Sequence, residues 1–248
     1  MKLIIIFILQ ILVLFIQPIF SETEENPTLK RILELYKQKD FKEISKVASE
    51  YIRTKEDISQ DDKVIKFYFH TENDLKKLDI LLDKIYKDTE ELNSKFHSLV
   101  YMLMDKALLA EEYEIGVKWG DVYRKEAKSK KAKYFRGLYL YSCLLYKANK
   151  SNLSLSIIDS ALKDKPNTKI VSKLKLLRIA QLKNDFQIIV ESQNYLKNNQ
   201  ETIYADFIFA HMVQAYRNAG KKKRVEQLKE EFKKDFGNSI LVDTVMGI

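Results

Sequence analysis

Three short polar breaks in a chain of helical periodicity constrain this fold more than any other feature. They are Asn149-Lys150, Asn184-Asp185-Phe186 and Asn218-Ala219-Gly220, with Lys150, Asp185 and Gly220 spaced 35 residues apart in both intervals. Apolar residues recur three and four positions apart in the stretches leading into them, Leu138 to Tyr146, Leu174 to Leu182 and Phe207 to Tyr216, which is the period of a helix with one buried face. A break this short joins antiparallel neighbours, so each one marks the turn of a helical hairpin, and a fixed period near 35 residues means hairpins stacked in series. The pattern is also present earlier. Leu29, Ile32, Leu33 and Tyr36 precede Lys37-Gln38-Lys39-Asp40, and Phe41, Ile44, Val47, Ala48 and Tyr51 follow it. Leu103 to Ala110 leads through Glu111-Glu112-Tyr113-Glu114 into a helix containing Gly116 and Gly120. With 6 Gly and 3 Pro in 248 residues, little interrupts these helices, and an all-α chain is expected.

Tyr36-Lys-Gln-Lys-Asp40-Phe41-Lys-Glu43 resembles the inter-helix turn of the tetratricopeptide repeats, whose unit is a 34-residue helix-turn-helix. Ser160-Ala-Leu-Lys-Asp-Lys-Pro166-Asn167 resembles that family's unit ending, and Tyr216 to Gly220 with Phe232 to Ser239 resembles a further unit and its close. The match covers about residues 28 to 239. It is clearest over 132–239 and degenerate over 28–131, with residues 55 to 92 matching poorly and Pro166 alone filling the unit-ending proline. The resemblance implies a right-handed superhelical stack of helix-turn-helix hairpins, whose first helices line a concave groove that binds a partner. The lysine- and isoleucine-rich, alanine-poor vocabulary is similar to that of exported, envelope-associated tetratricopeptide proteins of spirochaetes.

Met1-Lys2 is followed by Leu3 to Phe20, interrupted only by Gln10, Gln17 and Pro18, and then by the small Ser21. A positive start, an apolar run, a helix breaker and a small residue read as a secretory signal over 1–21, cleaved after Ser21. The run is also long enough to remain as an uncleaved membrane anchor, and in both cases the domain is expected on the periplasmic side, because the basic flank stays in the cytoplasm. A short acidic linker, 22–27, leads into the hairpins, and 240–248 reads as a tail. Removing residues 1–21 takes away one Lys and no acid, which lowers the net charge from +8 to +7. That excess fits attraction to anionic lipid or cell-wall polymer, whereas an exported chain is a poor partner for nucleic acid. Nothing in the sequence specifies an oligomeric state.

No catalytic machinery is expected. His70, His97 and His211 stand far apart, Asp61-Asp62 reads as a favourable helix start rather than a metal pair, and Cys143, the single cysteine, has no His near it in sequence. No cofactor or metal is therefore anticipated, and the chain reads as a non-enzymatic scaffold for another envelope protein. Phasing the chain on the tetratricopeptide unit places Tyr101, Asp105, Tyr139, Cys143, Tyr146, Arg178, Gln181, Gln214 and Arg217 on first helices, as candidate partner-binding residues. Tyr and Arg enrich binding hot spots, although each Tyr is equally compatible with packing against its neighbouring hairpin. Two basic clusters supply the other reading, a tether to an anionic membrane or wall surface. One includes Lys130 and Lys131, the other Lys221, Lys222, Lys223 and Arg224.

Overall fold

The computed structural model describes residues 26–54, 62–88, 94–126, 132–164, 168–198 and 204–247. Among them there are thirteen helices and no strand. They are α1 (Pro27–Lys37), α2 (Phe41–Arg53), α3 (Asp62–Thr71), α4 (Leu75–Asp88), α5 (Ser94–Leu109), α6 (Tyr113–Glu126), α7 (Ala132–Lys147), α8 (Ser151–Lys163), α9 (Thr168–Gln181), α10 (Asp185–Asn198), α11 (Ala205–Asn218), α12 (Lys222–Phe236) and α13 (Val242–Met246). The helices α1 and α2, α7 and α8, α9 and α10, and α11 and α12 pack as hairpins, and short turns also link α3 to α4 and α5 to α6. The residues that precede the second helices are Asp40, Asp74, Glu112, Lys150, Asn184 and Lys221, at intervals of 34, 38, 38, 34 and 37. The repeat thus runs through 62–88 as well, where the sequence motif is weakest.

Four of the six turns have a common local cause. Lys39, Glu111, Asn149 and Gly220, each two residues beyond a first helix, adopt φ of 59°, 62°, 60° and 69°. At each, the N–H of the next residue reaches back to the third-last helical carbonyl, as in Asp40 to Leu35 at 3.0 Å and Lys150 to Leu145 at 2.8 Å. This left-handed closure satisfies the helix's orphan carbonyls and reverses the chain within three residues. Asp40, Asp74 and Asn184 then cap the second helices, with side-chain oxygens accepting from N–H groups two or three residues on.

The described chain forms two compact units, one up to Lys106 and one from Ala107 onward. In the first, α1 packs on both α2 and α3 around Leu29, Ile32, Ile44 and Phe67, and Tyr36 meets Phe41 and Phe67 edge to face. In the second, α9 packs against both helices of the preceding hairpin, α7 and α8, and α11 reaches both α9 and α10. Residues 242–246, within the stretch expected as a tail, form α13, which lies on α11 and α12 in the same way.

Side-chain hydrogen bonds that leap one repeat length tie successive hairpins together. In the first unit Lys106 Nζ donates to the Glu72 carbonyl, 34 residues away, at 2.8 Å and to that of His70 at 3.1 Å. In the second, Lys150 donates to Glu114 (36 residues, 2.9 Å), Asn218 to Asp185 (33 residues, 3.1 Å) and Ser239 to Asp206 (33 residues, 2.7 Å). Lys106, Lys150 and Asn218 each tie their hairpin to the one before it, and Ser239 pins the segment after α12 back onto α11.

Candidate functional site

The first helices of the second unit form one connected surface. On α7, Tyr139, Cys143 and Tyr146 fall four and three residues apart and share a face. Lys173 of α9 lies over the Tyr139 ring, 5.7 Å from its centroid, and Tyr146 Oη donates to the Ala180 carbonyl at 3.5 Å. On α11, Phe207, His211, Gln214 and Asn218 share one stripe at four-three-four spacing, and Asn218 donates to Asp185 of α10 at 3.1 Å. Phe207 is 43% exposed and stacks on His211 at 6.2 Å, and His211 hydrogen-bonds the Ile179 backbone of α9. Burial lowers the His211 pKa, against the opposing pull of Ile179 and Asp185, so the imidazole favours its neutral form.

Cys143 is half-buried between these tyrosines. Burial pushes its thiol up to about 11, outweighing the hydrogen bond to Tyr139 and the nearby Lys173 and Lys147. The thiolate is thereby suppressed. At pH 8 we expect alkylation by iodoacetamide roughly a hundredfold slower than for a free cysteine, because so little of the nucleophilic form exists. A rate equal to that of glutathione would contradict this burial.

The two arginines expected on the groove have other employment. Arg178 Nε donates to Asp159 of α8 at 2.8 Å and its Nη1 to Glu191 of α10 at 2.7 Å. It lies about 140° around α9 from Lys173, turned toward the second helices rather than the surface of Tyr139 and Tyr146. Arg217 donates to Gln214 Oε1 at 3.3 Å, to the Thr244 carbonyl at 3.3 Å and to the Val245 carbonyl, which commits it to α13. Gln181 is buried and donates to the Leu177 carbonyl of its own helix at 3.0 Å, and Gln214 is exposed and donates to Asn218 at 2.9 Å. Arg178→Ala should therefore lower stability by ~1 kcal/mol, or about 2–4 °C in Tm, by unlinking α8, α9 and α10. Arg178→Lys should recover only part of this, since one ammonium cannot reproduce the two-directional fork. An unchanged melting curve for the alanine variant would mean that the two ion pairs contribute nothing.

In the first unit Tyr101 is half-buried and Asp105 exposed, one turn apart on α5. That unit also carries an open cleft of about 530 Å³ along α2, lined by Phe41, Ser45, Arg53, Glu72 and Lys77 among others. Glu72 is already engaged there. It accepts from Ser45 Oγ at 3.3 Å, Tyr68 Oη at 3.2 Å and the N–H groups of Asn73 and Asp74, both at 2.9 Å. Burial opposes its ionisation, but the Asp74 N–H, Lys77, the Asn73 N–H and Tyr68 together hold the carboxyl below its usual range. It therefore serves as the clasp of the α3–α4 turn.

Among the described residues no group of three or more His, Cys, Asp or Glu is placed to hold a metal ion. Lys221, Lys222 and Lys223 are exposed, whereas Arg224 is half-buried and pairs with Glu231 at 3.2 Å. Lys130 and Lys131 lie outside the described residues, as do the expected signal over 1–21 and Asp61. Among the described residues no helix is long and apolar enough to cross a membrane.

Sequence phasing missed Lys173, Phe207, His211 and Asn218. The signal for three of them was present, because 207, 211, 214 and 218 share one helical stripe through the expected Gln214. Comparison of the chain with protein-family models, curated proteins and solved structures finds no match in any of the three.

Proposed function

We propose that the chain is an exported, non-catalytic scaffold of the bacterial envelope, built as a right-handed stack of tetratricopeptide-like hairpins, that binds another envelope protein along its first helices. The observation that carries this reading is the surface shared by α7, α9 and α11, which presents two tyrosines, Lys173, Phe207 and Gln214 on neighbouring first helices. The bonds of Lys150 to Glu114 and of Asn218 to Asp185, 36 and 33 residues apart, support a regular stack, because each joins one hairpin to the next. A segment crossing three such helices would meet aromatic faces and amide groups in a row, a mixture suited to peptide recognition. The apolar segment over 1–21 supplies the export signal, cleaved or retained as an anchor.

The test is affinity capture from detergent-solubilised native envelope with the full chain as bait, comparing wild type with the pair Lys173→Ala and Phe207→Ala. Both side chains are exposed, so the fold should tolerate their loss. Losing an aromatic anchor costs ~2 kcal/mol of binding, or roughly a 30-fold drop in affinity. Undiminished capture of the same partner would remove the first-helix surface from consideration.

The three exposed lysines at 221–223 favour a second reading, a tether to anionic lipid or wall polymer. Binding to phosphatidylglycerol vesicles that weakens steeply with salt and disappears on reversing these three charges would support it over the scaffold.

A further inference from the structure

We infer that the groove between α11 and α12 is a binding site for a short amphipathic helix, and that α13 is a displaceable occupant which the chain itself supplies. This goes beyond the first-helix reading and does not depend on it.

The groove floor is a continuous apolar cluster that includes Phe209, Val213 and Phe232. Onto it α13 places Val245, fully buried, with Leu241 and Val242 packed beside it. The spacing of 241, 242 and 245 is one face of one helical turn, so the site reads a helix by its apolar stripe. At the far end of that turn Arg217 donates to the carbonyls of Thr244 and Val245. Helix-terminal carbonyls have no partner within their own helix, and a guanidinium aimed at them recognises a helix C-terminus irrespective of its side chains. The groove thus provides an apolar slot and a cationic stop, which is the chemistry of a receptor for a helical end.

The occupant is weakly built. At five residues α13 is far too short to hold helical structure by itself, so its conformation depends on the groove. A single side chain, Val245, is fully buried, and Ile240 at its entrance is 94% exposed. The connection from α12 passes through Gly237-Asn238-Ser239 and is pinned by Ser239 Oγ donating to Asp206. Segments with so little burial open at the low end of a protein's stability range while the helices beneath stay folded. The ligand class implied is a helical segment with apolar residues at positions i, i+1 and i+4 and free carbonyls at its end. α13 packs on α11 and α12 as α9 packs on α7 and α8, so the site accepts what a further first helix would offer.

The test uses the full chain and a fluorescein-labelled synthetic peptide covering Ser239 to Gly247 as the probe, followed by fluorescence anisotropy. In wild type the tethered segment occupies the groove, and the peptide should bind weakly or not at all. Val245→Asp in the full chain should release α13, and that variant should bind the wild-type peptide saturably, at least tenfold tighter than wild type does. A peptide carrying the same substitution should fail to bind, and adding Arg217→Ala to the released chain should weaken binding several-fold. Hydrogen exchange of wild type should show amides 241–247 exchanging much faster than those of α11 and α12. The proposal is overturned if Val245→Asp remains helical yet binds no peptide. It is equally overturned if that variant loses the helicity of α11 and α12, or if 241–247 are protected as fully as those helices, because α13 would then be part of the fold and not its ligand.

Discussion

Gly120→Val should destabilise the second unit by ~3 kcal/mol and lower its melting temperature by about 6–12 °C. Gly116 and Gly120 stand one turn apart on α6 and let α7 approach closely. A Cβ at Gly120 would lie 2.1 Å from Cδ2 of Tyr141, and one at Gly116 would lie 2.5 Å from Cδ2 of Leu144. The Tyr141 ring cannot step aside. It is fully buried, and its hydroxyl donates to Asp121 Oδ1 at 2.5 Å. A branched side chain must therefore push α6 off α7, which loses contacts on both sides of the clash. In an unconstrained helix the same change would be mildly favourable, since glycine costs ~1 kcal/mol in a helix interior relative to better helix formers. The sign of the effect accordingly separates tertiary crowding from local propensity. Trp119, adjacent and fully buried, provides the readout through its emission during thermal unfolding. If even Gly120→Ala melts at or above the wild-type temperature, the close approach of α6 and α7 does not constrain this position.

Phe232→Ala should cost about 3–5 kcal/mol, from lost transfer energy and from the cavity left behind. Phe232 is fully buried, 5.6 Å from the Phe209 ring and 5.3 Å from that of Phe236, at the centre of the cluster on which both α12 and α13 rest. Hairpins in a stack contact only their neighbours, so this loss should fall first on α11 to α13 and not on the distant α6. Circular dichroism should then report helix loss at a temperature where Trp119 emission is still that of the folded protein. Coincident transitions by the two probes would instead mean that the second unit melts as one block, and the nearest-neighbour picture would fail.

These expectations depend on side chains that differ in how far their sequence context identified them. Phe232 follows Val225 and Leu228 at helical spacing on a strongly two-faced helix, so its burial was legible. Arg178 was not. Apolar residues sit all round α9, at Ile170, Val171, Leu174, Leu176, Leu177 and Ile179, because that helix packs against α7, α8, α10 and α11. A helix covered on so many sides carries no single apolar stripe, and the direction of any one residue is then fixed only by the neighbours it meets. Arg178 met Asp159 and Glu191, two carboxylates 19 and 13 residues away, whose convergence no local spacing announces.

Local sequence specifies the helices, their hairpin turns and the repeat near 35 residues. Those follow from apolar period, capping side chains and short polar links, all of which act within a few residues. It determined less at the hairpin 62–88, where the turn Glu72-Asn73-Asp74 is closed by Ser45 and Lys106, side chains 27 and 34 residues away. Only long-range packing folds α13 back onto α11 and α12, turns Arg217 to its carbonyls and lets the glycines of α6 admit Tyr141 and Leu144. Each of these is a contact between segments distant along the chain, and its energy exists only once the hairpins are stacked.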